Sequence, residues 1–200
     1  ELAAQCPATR IVSVADREAD IYDIFVEAQS RSEADEPELH RRADYIIRAK
    51  QDRCTPERDP AARGNTFRKV RDEIAAAVRL TTLTIELSQT PKRAARQATL
   101  EVRAMTITVK PPHARSSLPA ITHQVVLVEE INGPGDGTDV CWLLLTTLAI
   151  DTLEQVLQIV AYYVARWSIE TYFRTLKTGC QVEKLRLETK ARLQNCLAFY

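Results

Sequence analysis

Apolar residues along this chain change their period several times, and each change marks an element. The run Arg10-Ile-Val-Ser-Val-Ala15 is dense in β-branched residues and predicts a strand. After Asp16-Arg-Glu-Ala-Asp20, residues Ile21, Tyr22, Ile24, Phe25 and Ala28 recur at helical spacing, so the strand runs into a helix. An acid-rich segment containing Pro37 follows, and then Ala43-Asp-Tyr-Ile-Ile-Arg-Ala49, a second short strand ending at the basic pair Arg48 and Lys50. Strand, helix, strand is the signature of an α/β core.

From about Asp52 to Asn65 the chain reads as a loop, with Pro56, Pro60 and Gly64. Three segments rich in β-branched residues come next: Leu80 to Leu87, Ala98 to Val109 and Gln124 to Ile131. Their partial alternation predicts an antiparallel insertion. Asn132-Gly-Pro-Gly-Asp-Gly137 is the strongest turn signal in the chain, and Cys141-Trp-Leu-Leu-Leu-Thr-Thr147 after it reads as a buried strand. Asp151-Thr-Leu-Glu154 matches a capping box. A long helix is expected from there, carrying the apolar Leu153, Val156, Leu157, Val160 and Val164 and stopping at Gly179. Gln181 to Leu187 then lead into another helix.

Composition narrows the class without settling it. With 45% hydrophobic and 27% charged residues in 200, the balance is that of a globular domain. No stretch reaches the roughly 18 apolar residues of a membrane helix, and no basic-then-apolar leader opens the chain, so a soluble, cytoplasmic protein with no membrane partner is expected. The first residue is Glu1 and the only Met is Met105, which reads as a fragment or processed product. The cysteines (Cys6, Cys54, Cys141, Cys180, Cys196) and histidines (His40, His113, His123) lack ligand spacing, and free thiols in a reducing compartment follow.

A net charge of zero argues by itself against a nucleic-acid binder. The distribution is uneven, however: Asp16 to Glu38 holds nine acids and two bases, whereas Ser88 to Arg115 holds six bases and one acid, Glu101. Such polarity suits a polyanion held near metal ions. On charge alone a solvated charged surface is the simpler account, since neither segment is a dense basic run.

The candidate chemistry is concentrated on the long helix. Tyr163, Arg166, Glu170 and Lys177 stand at offsets that fall within about 60° of one another on an ideal helix. One stripe thus presents a phenol, a guanidinium, a carboxylate and an ammonium. Taken alone, the stripe also fits an exposed face with an Arg166–Glu170 i,i+4 pair, worth a few tenths of a kcal/mol.

The spacing Tyr163-x-x-Arg166-x-x-x-Glu170-x-x-x-x-x-x-Lys177 resembles the YREK signature of DDE-type bacterial insertion-sequence transposases of the IS-four group. Asp16-Arg-Glu-Ala-Asp20 after a β-run resembles the family segment carrying the second catalytic aspartate, and Trp142-Leu-Leu-Leu-Thr resembles the strand before its catalytic helix. The resemblance runs from about Arg10 to the C-terminus and is weakest across the β insertion.

What it implies is an α/β, ribonuclease H-like catalytic core with an antiparallel β insertion, partial here because the N-terminal strands are missing. The parts would be residues 1–51 as the second-Asp half of the core, 52–138 as the insertion, and 139–200 as the core strand, the catalytic helix and the start of the C-terminal helices. Asp16 and Glu170 would be the second and third catalytic acids and metal ligands, with the first acid upstream of Glu1. Two Mg²⁺ or Mn²⁺ ions are expected in the intact site. Tyr163, Arg166, Lys177 and Arg48 would contact DNA, and Trp142 would stack on a flipped base. Asp16 alone also reads as a helix N-cap, and Trp142 as a core tryptophan. The implied function is metal-dependent DNA cleavage and strand transfer on transposon ends and target by a homodimer, with the isolated 200 residues inactive. The rival is a catalytically incomplete DNA-binding or regulatory remnant.

Overall fold

The computed structural model describes residues 5–6, 8–30, 43–61, 66–87, 89, 94–181, 184, 186 and 189–199. They divide into two compact units, residues 1–160 and 161–200. Along the first unit run β1 (Val12–Ala15), α1 (Tyr22–Ser30), β2 (Asp44–Arg48), β3 (Cys54–Arg58), β4 (Phe67–Lys69), α2 (Val70–Ala75), β5 (Thr81–Leu87), β6 (Arg96–Val109), β7 (Ile121–Glu130) and β8 (Cys141–Thr146). The helix α3 (Leu153–Ala165) begins in this unit and carries the chain past the division.

Six strands form one sheet in the order β1-β2-β8-β7-β6-β5. β1 and β2 are parallel, joined through α1 as a strand-helix-strand connection requires, with Ala15 opposite Ile47. Every other pairing is antiparallel. The predicted insertion strands therefore extend the same sheet as β1 and β2. The continuous apolar runs of β2, β7 and β8 follow from burial on both faces: Ile46 and Ile47, Val125 and Val126, and Leu144 and Leu145 are all buried. Phe25 of α1 is fully buried in the cluster that also holds Tyr45, Val125 and Leu145.

Two local expectations give way. Asp52 to Asn65 is not all loop: β3 and β4 form a two-stranded sheet with a register shift. Pro56 and the charged Glu57 and Arg58 hide the strand pattern, and proline is tolerated because this small sheet offers an outer edge. Gly64 and its neighbours 62–65 lie outside the described residues. The capping box is also displaced by one residue. The Thr152 hydroxyl accepts from Gln155 N at 3.3 Å and the Gln155 amide oxygen accepts from Thr152 N at 3.0 Å, so Thr152 and Gln155 take the positions expected of Asp151 and Glu154.

The turn before β8 conforms to its sequence. Asn132, Gly135 and Gly137 all have positive φ, the region glycine and asparagine tolerate best. The Asp136 carboxylate accepts from Thr138 N and Oγ1 at 2.9 and 2.6 Å.

One buried polar group makes stability depend on pH. His123 of β7 is 2% exposed, its Nδ1 lies 3.0 Å from the Tyr45 hydroxyl, and its ring meets Phe25 edge-on at 4.7 Å. Burial, reinforced by the Arg53 charge, lowers its pKa from 6.5 to about 4. The unfolded chain therefore takes up this proton before the folded one does. The contribution is complete above pH 6.5 and is lost as pH falls from 6.5 towards 4, amounting to roughly 3 kcal/mol. Urea midpoints between pH 7.5 and 4.5 should fall over that window, and His123→Gln should flatten the slope. An unchanged slope in the variant would assign the acid sensitivity elsewhere.

Candidate functional site

Asp16 directly follows β1, where the parallel pairing of Ala15 with Ile47 fixes the backbone. Its Oδ1 accepts from Glu18 N at 3.1 Å, capping the short 3₁₀ turn Arg17–Ala19. The capping reading of Asp16 is thus met: its carboxylate stands at a strand end and caps the turn after it.

Asp20, at the far end of that turn, accepts hydrogen bonds on both carboxylate oxygens. Its side chain is fully buried and pairs with Arg53 through Oδ1, with the guanidinium Nε at 3.1 Å. Its Oδ2 accepts from Lys50 N at 2.7 Å and Gln51 N at 3.0 Å, and its carbonyl accepts from Arg53 Nη2 at 3.1 Å. Arg53 lies over the rings of Tyr22 and Phe25 at 5.5 and 5.6 Å. The last acid of Asp16-Arg-Glu-Ala-Asp20 is visible in the sequence. Its partner, an arginine within an apparent loop, carried no such signal.

Arg48 ends β2 and donates from Nη2 to the Cys141 carbonyl at 2.8 Å. Arg71 reaches the same residue, with Nη2 2.6 Å from Cys141 Sγ and Nη1 3.0 Å from Glu129. Two arginines therefore grip the start of β8. Trp142, the next residue, pairs with Val128 in the ladder and remains partly exposed, whereas Leu143 to Leu145 beyond it are buried.

The basic segment is less available than its composition implies. Arg96 forms an ion pair with Glu130, Nη2 lying 2.9 Å from Oε2, and Arg103 pairs with Glu101. Arg115 lies 3.7 Å from Asp23, and Lys110 sits over the Phe67 ring. Lys92 and Arg93 lie outside the described residues. Across Arg96 to Arg115 the charges are therefore used mainly within the fold.

In the second unit the chain leaves α3 and continues as α4 (Ser168–Arg174), a π-turn (Thr175–Gly179) and α5 (Lys190–Phe199). The single uninterrupted helix to Gly179 is thus corrected. At Arg166 and Trp167 the backbone tightens to i→i−3 bonds, with Trp167 N on Val164 O and Glu170 N on Trp167 O, both at 3.1 Å. Further on it loosens, and Cys180 N reaches Thr175 O. Weak helix formers crowd this stretch, and the Thr175 and Thr178 hydroxyls donate to carbonyls four residues back, a bond that tends to bend helices. The left-handed residue after the turn is Gln181, φ 50°, rather than Gly179.

The ideal-helix offset to Lys177 therefore does not hold across the π-turn. The first three members of the stripe are brought together even so. The Arg166 guanidinium lies 5.8 Å from the centre of the buried Tyr163 ring, and its Nη2 is 3.3 Å from Glu170 Oε1. Glu170 is half exposed, 47% by its side chain, against 19% for Arg166. A buried ring thus supports a cation that holds an accessible carboxylate.

Carboxylate oxygens are hard donors suited to Mg²⁺ or Mn²⁺, which use one or two carboxylates alongside substrate phosphate. Asp16 and Glu170 fit by donor type. No group of three metal-binding side chains is found among the described residues. No helix there is long and apolar enough to cross a membrane.

A mixed α/β domain with mounted carboxylates of this kind defines a general class, and comparison with known families narrows it. The family model for the transposase DDE domain matches residues 33–199. The chain belongs to this DDE transposase family, whose members act on DNA and generally use divalent metal ions. The match includes the whole Tyr163–Lys177 stripe and begins after Asp16 and Asp20.

Proposed function

We propose that this chain carries the second and third acids of a two-metal transposase site of the YREK subgroup, mounted on a ribonuclease H-like core. The observation that carries the reading is the linked set Tyr163, Arg166 and Glu170, which the spacing of the signature anticipated. Asp16 and Glu170 are the carboxylates proposed to hold divalent ions. When bound, such ions would activate the attacking oxygen and stabilise the leaving oxygen at a phosphodiester.

The chain's own side chains have distinct tasks in this reading. Arg166 holds Glu170 in one orientation through its guanidinium. Tyr163 supports the guanidinium from below. Lys177 and Arg48 supply charge to phosphates, which position DNA without reading its sequence. Trp142, beside the doubly anchored Cys141, offers an indole face on which an extruded base can stack. The active assembly is proposed to be a homodimer acting on transposon ends and target DNA.

The test is Mn²⁺ calorimetry on the chain with Asp16→Asn and Glu170→Gln, together with a nicking assay on the protein that contains it. Weaker metal binding in both variants and loss of nicking would support the site. Unchanged binding together with an inactive parent protein would replace it by a DNA-binding or regulatory remnant.

Arg166→Ala should weaken DNA binding across all sequences. The slope of log K against log salt should fall by about one if a phosphate contact is lost. Fluorescence anisotropy at several salt concentrations measures this, and a slope unchanged from the parent would confine Arg166 to orienting Glu170.

A further inference from the structure

We propose that the buried Asp20–Arg53 pair is a positioning device for Asp16, setting the affinity of that carboxylate for a divalent ion. The inference rests on the reading of Asp16 as a metal ligand and deepens it.

The argument begins from a cost. Burying an ion pair sacrifices hydration that mutual attraction recovers only with good geometry and further hydrogen bonds, and apolar replacements of such pairs are often no less stable. Here the Asp20 and Arg53 side chains are 0% and 6% exposed. The geometry supplies what burial demands: Asp20 accepts from the guanidinium and two backbone amides, while Arg53 also donates to the Asp20 carbonyl.

What the pair ties together is specific. The amides of Lys50 and Gln51 belong to the segment leaving β2, and Asp20 closes the turn that Asp16 opens. Within that turn Ala19 N donates to Asp16 O at 3.2 Å and Asp20 N to Arg17 O at 3.4 Å. Asp16 is therefore held on one side by the β1–β2 ladder and on the other by a short turn whose far end is locked to the β2 exit. Release of Asp20 would loosen the turn side of that hold. Supports of this kind behind a metal ligand are typically worth about 10- to 100-fold in metal affinity.

The experiment compares Mn²⁺ affinity by calorimetry in the parent chain, Asp16→Asn, Arg53→Lys and the double variant Asp20→Asn with Arg53→Met. The double variant removes both charges together, so that neither is left buried alone. Folding of each is checked by thermal melting. The expected result is at least a tenfold loss of affinity in the folded double variant, an intermediate loss for Arg53→Lys, and no additional loss when Asp16→Asn is combined with the double variant. A double variant that melts earlier but binds Mn²⁺ like the parent would overturn the proposal and leave Asp16 as a ligand. If Asp16→Asn itself binds like the parent, the ligand reading fails instead.

A measurement on the unaltered chain covers the case in which no variant folds. Coupling is reciprocal, so saturating Mn²⁺ should slow hydrogen exchange at the Lys50 and Gln51 amides that Asp20 accepts. Exchange there that is indifferent to Mn²⁺, in a chain that binds the ion, would sink the proposal.

Discussion

Glu170→Gln is expected to reduce DNA nicking by about 10³-fold or more, with little change in folding. The side chain is half exposed and accepts from Arg166 at 3.3 Å. An amide can still accept from that guanidinium, so the local helix loses little. What disappears is the negative charge. If Glu170 holds a divalent ion, several kcal/mol of transition-state stabilisation go with it, and each 1.36 kcal/mol is a factor of ten in rate. Nicking of supercoiled DNA under single-turnover conditions, alongside a thermal melt, separates the two effects. Near-parental nicking would remove Glu170 from the chemistry altogether.

The largest effect on stability should come from the other carboxylate cluster. Asp20→Asn leaves Arg53 as a buried cation without its counter-charge, and Arg53→Met leaves the Asp20 carboxylate in the same position. Either single change should cost about 3 to 5 kcal/mol. The double change should cost clearly less than the two single losses added together, because no uncompensated charge remains. Denaturant midpoints at pH 7.5, where His123 is neutral in both folded and unfolded chains, would measure all three. Additive losses would mean that the two side chains act independently despite their contact.

Much of the architecture was legible because the responsible forces are local. Alternation in Leu80 to Leu87 and Ala98 to Val109, and the glycines around Asp136, announce strands and a turn that the structure contains at Thr81–Leu87, Arg96–Val109 and before β8. Periodicity failed where an element is too small to need a continuous apolar face, as in Cys54–Arg58 with its proline. It failed also where competing hydroxyl bonds deform a helix that the spacing alone draws straight, as at Thr175 and Thr178.

The site divides along the same line. Tyr163, Arg166 and Glu170 are neighbours in sequence, so helical offsets predict that they meet. Asp20 and Arg53 are 33 positions apart, and no pattern at either position indicates the other. Likewise nothing around Arg48 signals that its guanidinium serves the Cys141 carbonyl. Pairings of this sort are created by the sheet that brings distant segments side by side.

That sheet also sets an order of events. Strand β2 takes its antiparallel neighbour from β8, with Ile46 opposite Thr146, whereas β5, β6, β7 and β8 pair successively along the chain. Closing a distant pairing costs loop entropy before its contacts repay it. The four-strand meander should therefore gain protection first in pulse-labelled exchange, with the Ile46 and Ile47 amides protected later. During synthesis, the segment bearing Asp16 and Asp20 must wait, its apolar β2 edge uncovered, until the strand behind Trp142 has emerged.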